Sequence, residues 1–148
     1  MRISVQNEFF DFSTEIKNFN ATLENIGALV TFTGIVRGQK SQTLDYMVIE
    51  HYPGMTEKQI HLIVEEAFKR WKISDALVIH RYGKLDPGEP IMMVATAAEH
   101  RIEAFEAAEY LMDYLKSKAP FWKKEVLNGE ENWVESASED ETALSRWQ

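Results

Sequence analysis

Residues 90–98 read PIMMVATAA, nine residues without a charged side chain. Apolar content this dense, over a strand's length, marks a strand buried on both faces. Asp86-Pro87-Gly88 just before it is strong turn chemistry, and ALVIHRYG, residues 76–83, reads as a strand upstream of that turn. Downstream the period changes to that of a helix. Phe105, Ala108, Leu111, Met112 and Leu115 form one stripe over roughly 101–117. Ala119-Pro120 ends it, because the residue before a proline avoids the α region.

The pattern extends both ways. FWKKEVL and NWVES read as short strands around Asn128-Gly129. Toward the N-terminus, Thr56-Glu-Lys-Gln59 reads as a capping box that opens a helix. Its stripe is Ile60, Ile63, Val64, Ala67, Phe68 and Trp71. GALVTFTGIVR (27–37) is a strand running into a turn at 38–41, and TLDYMVIEHY (43–52) follows as its expected antiparallel neighbour. RISVQ (2–6) alternates like a strand, and Ser13 starts a short helical stretch. The order β(α)ββαββαββ predicts an α+β fold: a mostly antiparallel sheet with two main packed helices.

At 148 residues and 45% hydrophobic content, the chain fits one domain, 1–148, with a real core. Its net charge of -8 is uneven. From Glu125 to Gln148 seven acids face Arg146 alone, and the stretch about 135–148 reads as an acidic tail. So acidic a chain offers no basic face for nucleic acid. No apolar run is long enough to span a bilayer, and no secretory signal is visible, so a cytoplasmic protein is expected. The absence of cysteine removes disulfides, thiolate nucleophiles and Cys-ligated metals. His51, His61, His80 and His100 show no metal-ligand spacing, and no metal or cofactor is expected.

The candidate chemistry is cationic. LKSKAPFWKKE (115–125) sets Lys116, Lys118, Lys123 and Lys124 around an apolar Ala-Pro-Phe-Trp run. Period-2 alternation turns Lys123 and Lys124 to opposite faces of one strand, so one of them points toward whichever face is covered. Lys116 falls in the last turn of its helix, where a cation also simply complements the dipole. His100-Arg101 opens that helix, a place that favours anions, although Arg101 could equally pair with Glu99 or Glu103 at the surface. Arg37 ends a strand beside a turn, as a binding residue or a rim arginine. A helix over 101–117 is about 24 Å long at ~1.5 Å per residue. His100 and Lys116 then stand too far apart to grip one small ligand within a chain. A symmetric dimer with shared pockets would join them.

Several of these segments together resemble a known family. EHYPGMTE (50–57), HRYGKLDPGE (80–89), AEHR (98–101) and LKSKAPFWKKE are similar to the large, catalytic subunit of molybdopterin synthase, the MoaE family, and the similarity covers essentially the whole chain. The resemblance implies an α/β-hammerhead-type domain. It implies a sulfurtransferase that converts cyclic pyranopterin monophosphate to molybdopterin in molybdenum cofactor biosynthesis. The sulfur would come from the C-terminal Gly-Gly thiocarboxylate of a small ubiquitin-like subunit, in a heterotetramer built on a homodimer. By motif, Lys116 and Lys123 would be catalytic. Ile35, Val36, Arg37, His100, Arg101, Lys124 and Glu125 would contact substrate. Some family members carry an arginine after the W-V-E element; here Ser136, Ala137 and Ser138 stand there. Without the resemblance, the residues also fit a non-enzymatic dimeric interaction module, or a partner-free hydrolase or lyase.

Overall fold

The computed structural model describes residues 1–38, 44–135 and 138–148. Most of the expected turn at 38–41, the expected strand start at Thr43, and Ser136 and Ala137 lie outside the described residues. The elements in chain order are β1 (Arg2–Gln6), α1 (Phe12–Asn20), β2 (Ala28–Ile35), β3 (Leu44–His51), α2 (Met55–Arg70), β4 (Ile73–Arg81), β5 (Gly83–Leu85), β6 (Pro90–Ala98), α3 (Arg101–Ser117), β7 (Phe121–Leu127), β8 (Glu130–Val134) and α4 (Ser138–Leu144). A 3-10 turn, Ser145–Trp147, follows.

The PIMMVATAA strand is β6, and every residue after Pro90 in it is buried. It lies between β4 and β2 in a sheet ordered β1-β4-β6-β2. Met92, Val94 and Ala98 enter the main core with Ile60 and Val64 of α2 and Ala104 and Leu111 of α3. Met93 and Ala95 point the other way, onto Phe10, Leu77 and Ile79, where Ile16 and Phe19 of α1 cover them. Both faces are dry, which is why the strand shows no polar alternation. Its one polar side chain, Thr96, donates to the Ala104 carbonyl at 2.7 Å. β1 is parallel to β4, and the other pairs of this sheet are antiparallel.

The expected hairpin of β2 with β3 does not form. β2 pairs with β6 along its whole length, while β3 sits between β5 and β7 in a second sheet, β5-β3-β7-β8. Nearness in sequence favoured the hairpin; the open edges of two distant strands won, because β propensity is satisfied by whichever partner also buries the side chains. ALVIHRYG likewise divides after Arg81. Gly83, at φ 91°, turns the chain into the second sheet as β5, and a Cβ there would collide with the Asn7 side chain.

The expected capping box is displaced. α2 starts at Met55, and Glu57 accepts the Gly54 N–H at 2.7 Å. Thr56 is fully buried instead. Its hydroxyl accepts the Tyr52 N–H at 3.0 Å and donates to the Pro120 carbonyl at 3.1 Å. That one side chain ties the end of β3 to the start of β7.

The acidic tail is docked on α3. Arg146 reaches Glu109 at 2.9 Å and Asp113 at 2.7 Å on α3. Trp147 packs edge-on against Trp71 and Tyr110 and donates to Asp113 at 2.6 Å. The aromatic pair buries area that the tail's charge does not suggest.

Candidate active site: a lysine pair in a half-dry cleft

α3 ends at Ser117, and Pro120 allows β7 to begin one residue later. Lys116 therefore stands at the mouth of the cleft that β7 enters. Along β7, Phe121, Lys123 and Glu125 share one face by the two-residue period, and Trp122 and Lys124 take the other. The first face looks into a cleft of about 610 Å³, a size suited to a small organic ligand. Its walls include Phe32 to Ile35 of β2, Arg37, Met92 of β6, Lys116, and Asp140 of α4. His80 of β4 forms part of the floor and stacks on Phe121, with ring centroids 3.6 Å apart.

Lys123 is the perturbed member of the pair. Burial first, and then the Lys116 cation beside it, push the Lys123 amine down to about 8 from an ordinary 10.5. Asp140 acts in the opposite direction. The nearness of the Lys116 side chain adds to the same downward shift. Burial also drives His80 down, to about 3, and the charges of Lys123 and Lys116 add to that effect. A hydrogen bond to the Arg81 carbonyl opposes it. The cleft therefore offers fixed positive charge from Lys116 and Arg37, a lysine poised near neutrality, and an uncharged imidazole. That combination can hold an anion and exchange a proton with it.

Of the residues singled out in the sequence, Lys116, Lys123, Ile35, Arg37 and Glu125 line this cleft. Val36 does not; it is 2% exposed and packs in the core beneath. Lys124 is on the far side of β7, 3.4 Å from Glu131 and over the Trp133 ring. His100 and Arg101 lie at the other end of α3, outside the cleft lining. Of the two, it is His100 that approaches Glu99, at 3.5 Å, and not Arg101. His80 and Asp140 were not identified from the sequence. A histidine three residues before a sheet-switching glycine is a faint local signal for the first; nothing near Asp140 in sequence points to the second. Among the described residues no cluster of His, Asp and Glu is placed to hold a metal.

A cysteine-free α+β chain whose lysine pair is held half-dry in a cleft of this size is built as an anion-handling enzyme subunit. The MoaE protein family model matches residues 5–118. The chain is 60% identical over 147 residues to the molybdopterin synthase catalytic subunit of Cereibacter sphaeroides, across 99% of this chain and 100% of the relative. It superposes on a molybdopterin biosynthesis MoaE protein from Burkholderia ambifaria with a TM-score of 0.85 at 46% identity, covering 99% and 97% of the two chains. A complex of subunits 1 and 2 of molybdopterin-converting factor from Helicobacter pylori shares the fold, with a TM-score of 0.78 at 19% identity over 92% of each chain. The chain belongs to the MoaE protein family, and it is a catalytic subunit of the molybdopterin synthase type, acting in molybdenum cofactor biosynthesis.

Proposed function

We propose that this chain transfers sulfur to cyclic pyranopterin monophosphate, giving molybdopterin, with a small ubiquitin-like subunit's C-terminal thiocarboxylate as the donor. The observation that carries the proposal is the Lys116–Lys123 pair in the cleft, with Lys123 lowered to about 8. At pH 7 roughly a tenth of a group with that pKa is the free base. Lys123 can therefore take or return a proton as sulfur attacks and the cyclic phosphate opens. Lys116 and Arg37 hold the phosphate and the thiocarboxylate tail by charge. The low-dielectric floor of Phe121 and Met92 strengthens their field.

His100 and Arg101 join this chemistry through a second copy. They stand about 24 Å along α3 from Lys116, at ~1.5 Å per residue. Ile102 and Phe105 of α3, and Phe32 on the neighbouring edge strand β2, are large exposed apolar side chains. A twofold contact over that surface would carry His100 and Arg101 toward a partner's cleft and hide the apolar patch. Two small subunits on such a dimer make a heterotetramer. The Helicobacter pylori structure is itself a complex of two subunits, which supports a partner of this kind. No helix among the described residues is long and apolar enough to cross a membrane. A cytoplasmic site of action is part of the same proposal.

The test is reconstitution with the thiocarboxylated small subunit and the cyclic pterin, followed by pterin detection. The parent chain should form product only with the partner present, and Lys116→Ala or Lys123→Ala should abolish it while leaving the fold and dimer intact. Turnover of the pterin without the partner would mean a lyase or hydrolase. Binding of the partner without any product would mean an interaction module.

A further inference from the structure

The cleft floor holds a group that the sulfur-transfer chemistry above leaves unused. His80 is 4% exposed and lines the cleft. Phe121 covers its ring at an interplanar angle of 13°. Its Nδ1 lies 2.9 Å from the Arg81 carbonyl oxygen. A carbonyl only accepts, so Nδ1 carries the hydrogen, and Nε2 of the neutral ring presents a bare lone pair. No described residue donates to Nε2: the one hydrogen bond of the ring is the one to Arg81, and Lys123 and Lys116 act on it through charge alone. The ring as a whole is buried, but its Nε2 is not a sealed, unpaired atom; it stays open to the cleft, where a donor on a ligand can reach it.

The chemistry of that donor is constrained. A phosphate or carboxylate oxygen would meet lone pair against lone pair at Nε2 and is turned away, toward Lys116 and Arg37. An N–H or O–H on the edge of a flat heterocycle, lying against the aromatic surface of Phe121, fits instead. We propose that His80 is a substrate-binding residue, its Nε2 accepting a hydrogen bond from a ring or amino N–H, or a hydroxyl, of the pterin. The contact sets which end of the substrate faces the lysines. This inference rests on the cleft being the site of the phosphorylated pterin, and it adds the residue that reads the uncharged end.

Two side chains separate this role from a purely structural one. Asn at position 80 can keep an N–H near the Nδ1 position for the Arg81 carbonyl but has nothing at the Nε2 position. Gln can bring its amide oxygen to the Nε2 position. With thiocarboxylated small subunit at saturation, H80N should raise KM for the pterin about tenfold with kcat nearly unchanged, the signature of a lost hydrogen bond to a group that then stays unpaired. H80Q should stay within about threefold of the parent, since its oxygen restores the acceptor. In the unsubstituted protein labelled with 15N-histidine, the unprotonated Nε2 resonance of His80 should move upfield when the pterin alone is added, with His61 unaffected. A parental KM for H80N with a raised KM for H80Q would assign His80 to the Arg81 bond and overturn the proposal, as would a stationary Nε2 resonance on saturation with pterin. Equal losses in both variants that follow their melting temperatures would overturn it too. A parent that turns over pterin, a dead K116A and an unchanged KM across the His80 series sink this proposal alone. A parent inactive with its partner, or a fully active K116A, sinks the site assignment and this inference with it.

Discussion

Replacing Lys123 by Met should stabilise the protein at neutral pH while it removes product formation. Met keeps the length and flexibility of the stem and discards the charge. In the unfolded chain the amine titrates near 10.5, and in the folded chain at about 8. The unfolded state therefore binds this proton more tightly, and protonation favours unfolding. The penalty is complete below about pH 8 and disappears as pH rises through 10.5. A difference of about 2.5 in pKa is worth about 3 kcal/mol at pH 7 and under about 1 kcal/mol at pH 10, at 1.36 kcal/mol per pKa unit. Urea unfolding of the parent and of Lys123→Met at both pH values reads this directly. A gain of about 3 kcal/mol moves the midpoint by about 1–2 M for a chain of this size. Comparing the two proteins at each pH cancels the other lysines. A variant less stable than the parent at pH 7, or a difference that does not shrink by pH 10, would refute the placement of a charged amine in a dry, cation-flanked site.

Four further outcomes follow from the same geometry. Asp140→Asn removes the carboxylate that holds Lys123 up, so Lys123 should titrate lower and the acid limb of the kcat/KM profile should move to lower pH. Lys124→Ala, on the far face of β7, should change turnover by no more than about twofold, because this side chain faces away from the cleft toward Glu131 and Trp133. Thr56→Val leaves the Tyr52 N–H and the Pro120 carbonyl without their partner and should cost about 1–3 kcal/mol in chemical unfolding. Coexpressing Lys116→Ala and Arg101→Ala chains, each inactive alone, should restore about a quarter of parental activity, because half of randomly paired dimers then carry one intact shared site. No recovery would mean that each protomer works with its own residues only.

Several features of the fold were legible because they are local. β6 declares its double burial through nine residues without charge, and α2 and α3 declare their covered faces through apolar stripes at helical spacing. The helix stop at Ala119-Pro120 and the opposed faces of Lys123 and Lys124 follow from covalent geometry alone. The misreadings were all about partners. β2 and β3 look like a hairpin, and only the competition for β6 and β7 separates them. Thr56 looks like a helix cap, but burial turns its hydroxyl to Pro120. The tail's acids leave its place open, and Trp147 and Arg146 tie it to α3.

By itself the amino-acid order determined most of the strands and the first three helices, though not β5 or α4, which faces must be covered, and that cations crowd an apolar run at residues 115–125. Only the tertiary structure decided that His80 and Asp140 line one cleft with Lys116 and Lys123, and that His100 and Arg101 stand outside it. The division has a physical cause. Backbone preference and side-chain period act over a few residues, while a lysine's proton affinity depends on burial and on charges brought in from segments far along the chain.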